Sequence, residues 1–153
     1  MLYLLFQLGA DRYAIAAGEV VRVLPLVELR AIPHAPEGVA GIFDYGGRPV
    51  PALDLSRLLL GRPAQARMST RIVLVRQPDA AGAEHLLGLI AEHATDTVRL
   101  EPAAFAPSGV RSQAAPYLGD VSTSGSRLVQ RIDLQQLLPA AVRAALFAAP
   151  VAA

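Results

Sequence analysis

Gly46-Gly47-Arg48-Pro49-Val50-Pro51-Ala52-Leu53-Asp54-Leu55-Ser56-Arg57-Leu58-Leu59 aligns without a gap with Gly125-Ser126-Arg127-Leu128-Val129-Gln130-Arg131-Ile132-Asp133-Leu134-Gln135-Gln136-Leu137-Leu138. Each stretch reads as a turn, a strand, an aspartate and a short Leu-rich helical turn. Gly46-Gly47 suits a type I′ hairpin turn, in which both central residues need positive φ. Pro49 and Pro51 stand two apart, so both imino nitrogens face one flank, as an edge strand requires. Asp54 and Asp133 each precede a Leu-rich turn whose first N–H groups lack partners, and both are expected to cap it structurally. That reading is preferred to pairing them as acid and base.

Working outward, Tyr13-Ala14-Ile15 leading to Val20–Leu24 has a looser counterpart in Leu87-Gly88-Leu89 leading to Thr97–Leu100. Self-similarity at this period implies two copies of one supersecondary unit, each too small to be comfortable alone. Short runs of Val, Ile and Leu between Gly and Pro punctuation supply the strands. They run from 2 to 8, 11 to 15, 20 to 24, 27 to 32, 39 to 45, 48 to 53, 71 to 76, 86 to 90, 97 to 100, 117 to 121 and 127 to 132. Gly9-Ala10 closes the first hairpin and Ser124-Gly125 the last. Gly61 to Ser69 is the best linker, and Glu101 to Pro116, with three prolines, reads as a long surface loop. The expected fold class is mainly β: two small SH3- or OB-like barrels packed together, with short helices and a docked C-terminal helix. One domain over residues 1–150 divides into subdomains at about 1–66 and 67–150, with strand exchange between them allowed.

Of the 153 residues, 53% are hydrophobic and 18% charged, which is the composition of a folded core and not of disorder. A net charge of +1 does not advertise a nucleic-acid or anionic-membrane surface. All basic residues are arginine, so lysine-dependent chemistry is excluded, and the absence of cysteine removes disulfides, thiolate metal sites and a cysteine nucleophile. The apolar start at Met1–Leu8 lacks a positive flank and is interrupted by Asp11-Arg12, so it reads as a strand rather than a signal peptide. The tail from Leu137 to Ala153 is too short and too broken by Pro139, Arg143 and Pro150 to span a membrane. No G-x-S-x-G or G-x-G-x-x-G occurs, and Ser122, Ser124 and Ser126 read as turn residues. His34, His85 and His93 lack metal-ligand spacing, and the last two read as solvated strand ends. No catalytic residue, metal or cofactor is expected.

Phe6-Gln7-Leu8-Gly9, Tyr13-Ala14-Ile15, Val20-Val21-Arg22-Val23-Leu24, Ile32-Pro33-His34-Ala35-Pro36, Gly41-Ile42 and Val50-Pro51-Ala52-Leu53-Asp54-Leu55 together resemble the CheW-like domain of bacterial chemosensory systems. Gly88-Leu89, Tyr117-Leu118 and Leu128-Val129 through Leu138 extend the resemblance across nearly the whole chain. The Gly61–Arg67 stretch is similar to couplers of the surface-sensing Wsp type. The resemblance implies two five-stranded barrel subdomains and a stand-alone, non-enzymatic adaptor. Such an adaptor bridges the cytoplasmic tip of a methyl-accepting chemoreceptor to the regulatory domain of a CheA-type histidine kinase, in the cytoplasm beside receptor arrays at the inner membrane, with neither nucleic acid nor membrane insertion.

Carried over by residue, the resemblance implies a receptor-facing groove with Val20 and Gly41 and, beside it, the hairpin Asp44-Tyr45-Gly46-Gly47. Two departures stand out. The family writes Asn-x-Arg-Gly where this chain has Asp44 to Gly47, and Arg22 replaces an acidic residue common after the Val20 position. Arg48 lies two residues beyond the missing arginine and, by strand alternation, is expected on the same face as its partial replacement. Arg22 is expected to alter partner choice by reversing the rim charge. Two rival readings are a small-molecule-binding barrel lidded by the 101–116 loop and a hydrolase using His34 or Ser124.

Overall fold

A strand whose residues are apolar at consecutive positions must be buried on both faces, because successive side chains point to opposite sides. Leu2–Leu8 (β1) is such a strand. Leu4, Phe6 and Leu8 enter one buried cluster, while Tyr3 and Leu5 enter another. The computed structural model describes residues 1–110, 112–123 and 127–147. Its further elements are β2 (Asp11–Ala16), β3 (Val20–Pro25), β4 (Val39–Tyr45), β5 (Arg48–Asp54), α1 (Leu55–Leu60), β6 (Arg71–Pro78), β7 (Glu84–Arg99), β8 (Phe105–Ala106), β9 (Leu118–Ser122), β10 (Val129–Ile132) and α2 (Ala140–Leu146).

Two sets of strands share β7. In one, the order is β4-β5-β7-β6-β3; in the other it is β7-β1-β2-β10-β9-β8. The first half of β7 pairs with β6 and, in parallel, with β5; its second half pairs with β1. The pairing interleaves the chain: the N-terminal hairpin β1–β2 is flanked by β7 and β10, whereas β6–β7 is flanked by β3 and β5.

The core is layered accordingly. Phe43, Val50, Ala52, Ile72, Leu74 and Ile90 fill one face of the first set. Tyr3, Leu5, Ala14, Ala16, Phe105 and Val129 fill one face of the second. Between the sets lies the largest cluster, built from the alternate residues of the same strands: Phe6, Ile15, Val73, Val75, Leu87 and Leu89. Each such side chain removed from water contributes about 1.5–3 kcal/mol. α2 covers one end of this cluster through Val142, Leu146 and the buried Phe147.

Mainly β content with a docked C-terminal helix bears out the expected fold class, but three details differ. Among the described residues neither set closes into a barrel by backbone pairing: β3 and β4 are not joined, and the flank of β4 away from β5 carries a single bridge, from Arg30 to Ile42. The segment from 26 to 38 is not the strand expected over 27 to 32. Pro25, Pro33 and Pro36 have no N–H to give a ladder, and Leu26 and Leu29 anchor the segment by packing instead. The strands expected over 86–90 and 97–100 are one 16-residue strand. It turns from one set to the other near His93, whose φ of 51° marks the irregularity. Ser124, Gly125 and Ser126 and the tail beyond Phe147 lie outside the described residues.

Candidate functional site

The β4–β5 hairpin is shaped at its tip by Gly46 and Gly47, with φ of 58° and 89°. Asp44 Oδ1 accepts the Gly47 N–H at 2.7 Å, tying the tip to the strand that enters it. A two-residue turn makes Tyr45 and Arg48 the first hydrogen-bonded pair, so the ladder alternation turns positions 49 and 51 away from β4. Prolines therefore fit there without loss. β7 joins β5 from Ala52 to Asp54, and among the described residues no second strand pairs with residues 48–51.

Gly41 is demanded by a close approach. A Cβ at this position would stand 2.3 Å from the carbonyl oxygen of Arg30, and φ is 152°. Ile42 and Arg30 exchange backbone hydrogen bonds of 2.9 and 2.8 Å across that approach. The result is a cleft of about 640 Å³ between the hairpin and the 28–30 segment, lined by Glu28, Leu29, Arg30, Ile42, Asp44 and Pro49 among others. Apolar walls from Leu29, Ile42, Phe43 and Pro49 carry Glu28, Arg30 and Asp44 at the rim. That arrangement can accept apolar side chains and orient them by charge.

Of the residues read from the sequence, Asp44 and Gly47 line this cleft, Gly41 lets it form, and Tyr45, Gly46 and Arg48 make the neighbouring tip. Val20 and Arg22 do not line it. They lie on β3, opposite Val75 and Leu74 of β6, with a register shift between them. Val20 packs on the cluster between the two sets, while the Arg22 side is exposed. Strand alternation does not bring Arg48 to the face of position 46, because Gly46 is a turn residue at positive φ and not a strand residue. Arg48 instead stands opposite Tyr45, whose ring packs on the first set's cluster. Glu28, Leu29 and Arg30 were missed because a proline-bounded apolar run reads as a strand. The glycine at 41 was the available signal, since a glycine inside a strand often marks another backbone close by.

Asp54 Oδ1 accepts the Arg57 N–H at 3.2 Å and Oδ2 the Ala64 N–H at 2.9 Å; Asp133 Oδ1 accepts the Gln135 N–H at 3.0 Å. Near the other end of β3, the Glu19 carboxyl is held above its ordinary range, first by desolvation and then by repulsion from Asp133, against an opposing pull from Arg131. His85 is no solvated strand end. Its Nε2 lies 2.8 Å from Asp79 Oδ2, which depresses the Asp79 carboxyl, and its ring stacks on Phe147 at 4.7 Å. His93 is exposed at the irregularity in β7. Among the described residues from 101 to 116, none lines the hairpin cleft. Among the described residues no three His, Asp or Glu side chains converge to hold a metal ion, and no helix is long and apolar enough to cross a membrane.

A search of curated protein sequences returns no match. Among solved structures, the crystal structure of the scaffolding protein TtCheW from Thermoanaerobacter tengcongensis superposes with a TM-score of 0.74 at 19% identity, over 87% of this chain and 84% of that one. The shared architecture is thus fold-level, but a family model, the CheW-like domain, matches residues 2–142. That span takes in both strand sets, the β4–β5 hairpin and both capping aspartates, and the chain belongs to the CheW-like domain family.

Proposed function

We propose that this protein is a non-enzymatic adaptor that couples the cytoplasmic tip of a methyl-accepting chemoreceptor to the regulatory domain of a CheA-type histidine kinase. The family match over residues 2–142 carries this reading. The geometry supports it: the hairpin cleft is open, apolar at its walls and charged at its rim, which suits a protein surface better than a reaction. In this reading the hairpin cleft that Gly41 lets form and the tip from Asp44 to Arg48 receive the kinase domain, and the β3 face around Val20 and Arg22 receives the receptor helix. The adaptor acts in the cytoplasm at receptor arrays beside the inner membrane. It transmits a signal by binding one kinase state more tightly than another.

Size-exclusion chromatography with light scattering tests it. The purified chain is mixed with the regulatory domain of the CheA-type kinase and with a receptor cytoplasmic fragment from the same organism. Co-elution is expected with each, and Ile42→Glu, which puts a charge on an apolar wall, is expected to weaken the kinase-domain complex about tenfold or more. Arg22→Glu is expected to alter receptor binding and leave the kinase-domain complex in place. A folded protein that binds neither partner overturns the reading.

A further inference from the structure

The segment between α1 and β6 has no regular secondary structure, yet it is pinned along its length. Ala64 N–H donates to Asp54 Oδ2, Gln65 N–H to Glu92 Oε1, Thr70 Oγ1–H to the Gln65 carbonyl, Thr70 N–H to the Arg67 carbonyl, and Ala94 N–H to the Ser69 carbonyl. A linker that only joined a helix to a strand would not need so many anchors. What they hold in place is a turn that presents Met68, 97% exposed, beside Arg67. Behind the turn is a cleft of about 470 Å³ whose lining includes Pro25, Leu26, Ala66, Arg67, Met68 and Arg71.

The charge of this surface is one-sided. Its two charged lining residues, Arg67 and Arg71, are both basic, although the whole chain is only +1. No carboxylate lines the cleft, and neither Arg67 nor Arg71 forms an ion pair among the described residues. Asp54 and Glu92, beneath the segment, spend oxygens on its N–H groups. The Nε of Arg71 is buried without a hydrogen-bond acceptor, so nothing in the fold neutralises this guanidinium.

We infer that this platform docks an acidic, apolar segment of a partner protein, with carboxylates on Arg67 and Arg71 and an aliphatic side chain between Met68, Leu26 and Pro25. Apolar concavity and near-neutral overall charge favour such a segment over a nucleic acid or lipid surface. Pro25 pairs with Arg71 at the far end of β3 from Val20, about 16 Å along the strand, so the platform shares no residue with the hairpin cleft or the β3 site of the preceding section. It therefore stands or falls separately from the receptor and kinase reading.

The probe is a short fluorescein-labelled peptide alternating Glu and Leu, titrated with the full chain and followed by anisotropy. Saturable binding that weakens with added salt is expected, with about a tenfold loss in Arg67→Glu and in Met68→Ser at unchanged thermal midpoint. Both side chains are exposed and neither makes a hydrogen bond that holds the fold, so the variants read binding and not unfolding. Equal affinity for the Lys-for-Glu peptide, unchanged binding in both variants, absence of saturable binding, or binding only to phosphatidylserine vesicles or a single-stranded oligonucleotide each overturns the inference.

Discussion

The two turn–strand–aspartate segments of this chain begin from almost the same pattern and end in different roles. In both, the N–H of the aspartate donates to a carbonyl at 2.7 Å, Asp54 to Gly38 and Asp133 to Tyr117. In both, the strand lies parallel to a neighbour, β5 to β7 and β10 to β2. There the likeness stops. Asp54 is buried, uses both carboxylate oxygens, and starts an α-helix closed by Gly61 at φ 73°. Asp133 is exposed and caps only a 3-10 turn through one bond to Gln135. The first segment carries a cleft and anchors the platform after α1; the second ends under α2. Burial, more than sequence pattern, decides how much one capping residue matters.

The glycines of the two antiparallel partner strands offer the largest contrast. At Gly41 an added Cβ meets a backbone oxygen at 2.3 Å and the backbone is left-handed; at Gly119 it meets the Arg131 carbonyl oxygen at 3.1 Å with no such strain. Gly41→Ala is expected to lose about 3 kcal/mol of stability and to displace the 28–30 wall of the cleft, against about 1 kcal/mol or less for Gly119→Ala. Urea unfolding followed by circular dichroism measures both, since the chain has no tryptophan. Equal losses would break the contrast.

Capping comes next in size. Asp54→Ala removes a cap and leaves the Ala64 N–H without its acceptor, for an expected loss of about 2 kcal/mol. Asp133→Ala is expected to cost about 0.5 kcal/mol because water can replace the single exposed bond. A cost for Asp133→Ala as large as that for Asp54→Ala would show that burial is not what separates them.

The smallest effect links Asp133 to Glu19. A carboxyl held above its ordinary 4.5 takes up a proton in the folded state at a pH where the unfolded chain is still ionised. Stability is then lower above the raised folded value and recovers as pH falls through it. Glu19→Gln is accordingly expected to raise the thermal midpoint near pH 7 slightly, by about 0.5 kcal/mol or less because the side chain is largely exposed. The gain should vanish below about pH 4.5, where both states of the wild type are protonated. A gain that persists at low pH would assign it to packing instead of charge.

How far the sequence could be read follows from how local each cause is. Gly46-Gly47 states its own turn, Pro49 and Pro51 announce an unpaired flank, and Asp54 and Asp133 sit where a helical turn lacks acceptors; each is settled within a few residues. Val27 to Ile32 misled because apolar spacing in a proline-bounded segment serves packing as well as pairing. Arg48 misled because alternation was counted through a turn. His85 gave no hint of Asp79 and Phe147, since proximity across a hairpin loop and to a C-terminal helix leaves no local mark.

The sequence alone was enough for most of the strands, the Gly46-Gly47 turn, the caps at Asp54 and Asp133, a mainly β fold, and resemblance to a family. Tertiary structure decided which strands become neighbours. Strands such as β1 and β6 are buried on both faces, so their unbroken apolar runs carry no alternation that could name an inner side, let alone a partner. It also decided the surfaces: the hairpin cleft needs Arg30 against Gly41, and the pinned platform needs Asp54 and Glu92 beneath Ala64 and Gln65. Those contacts join residues that the chain keeps apart, and only the packing of the strand sets brings them together.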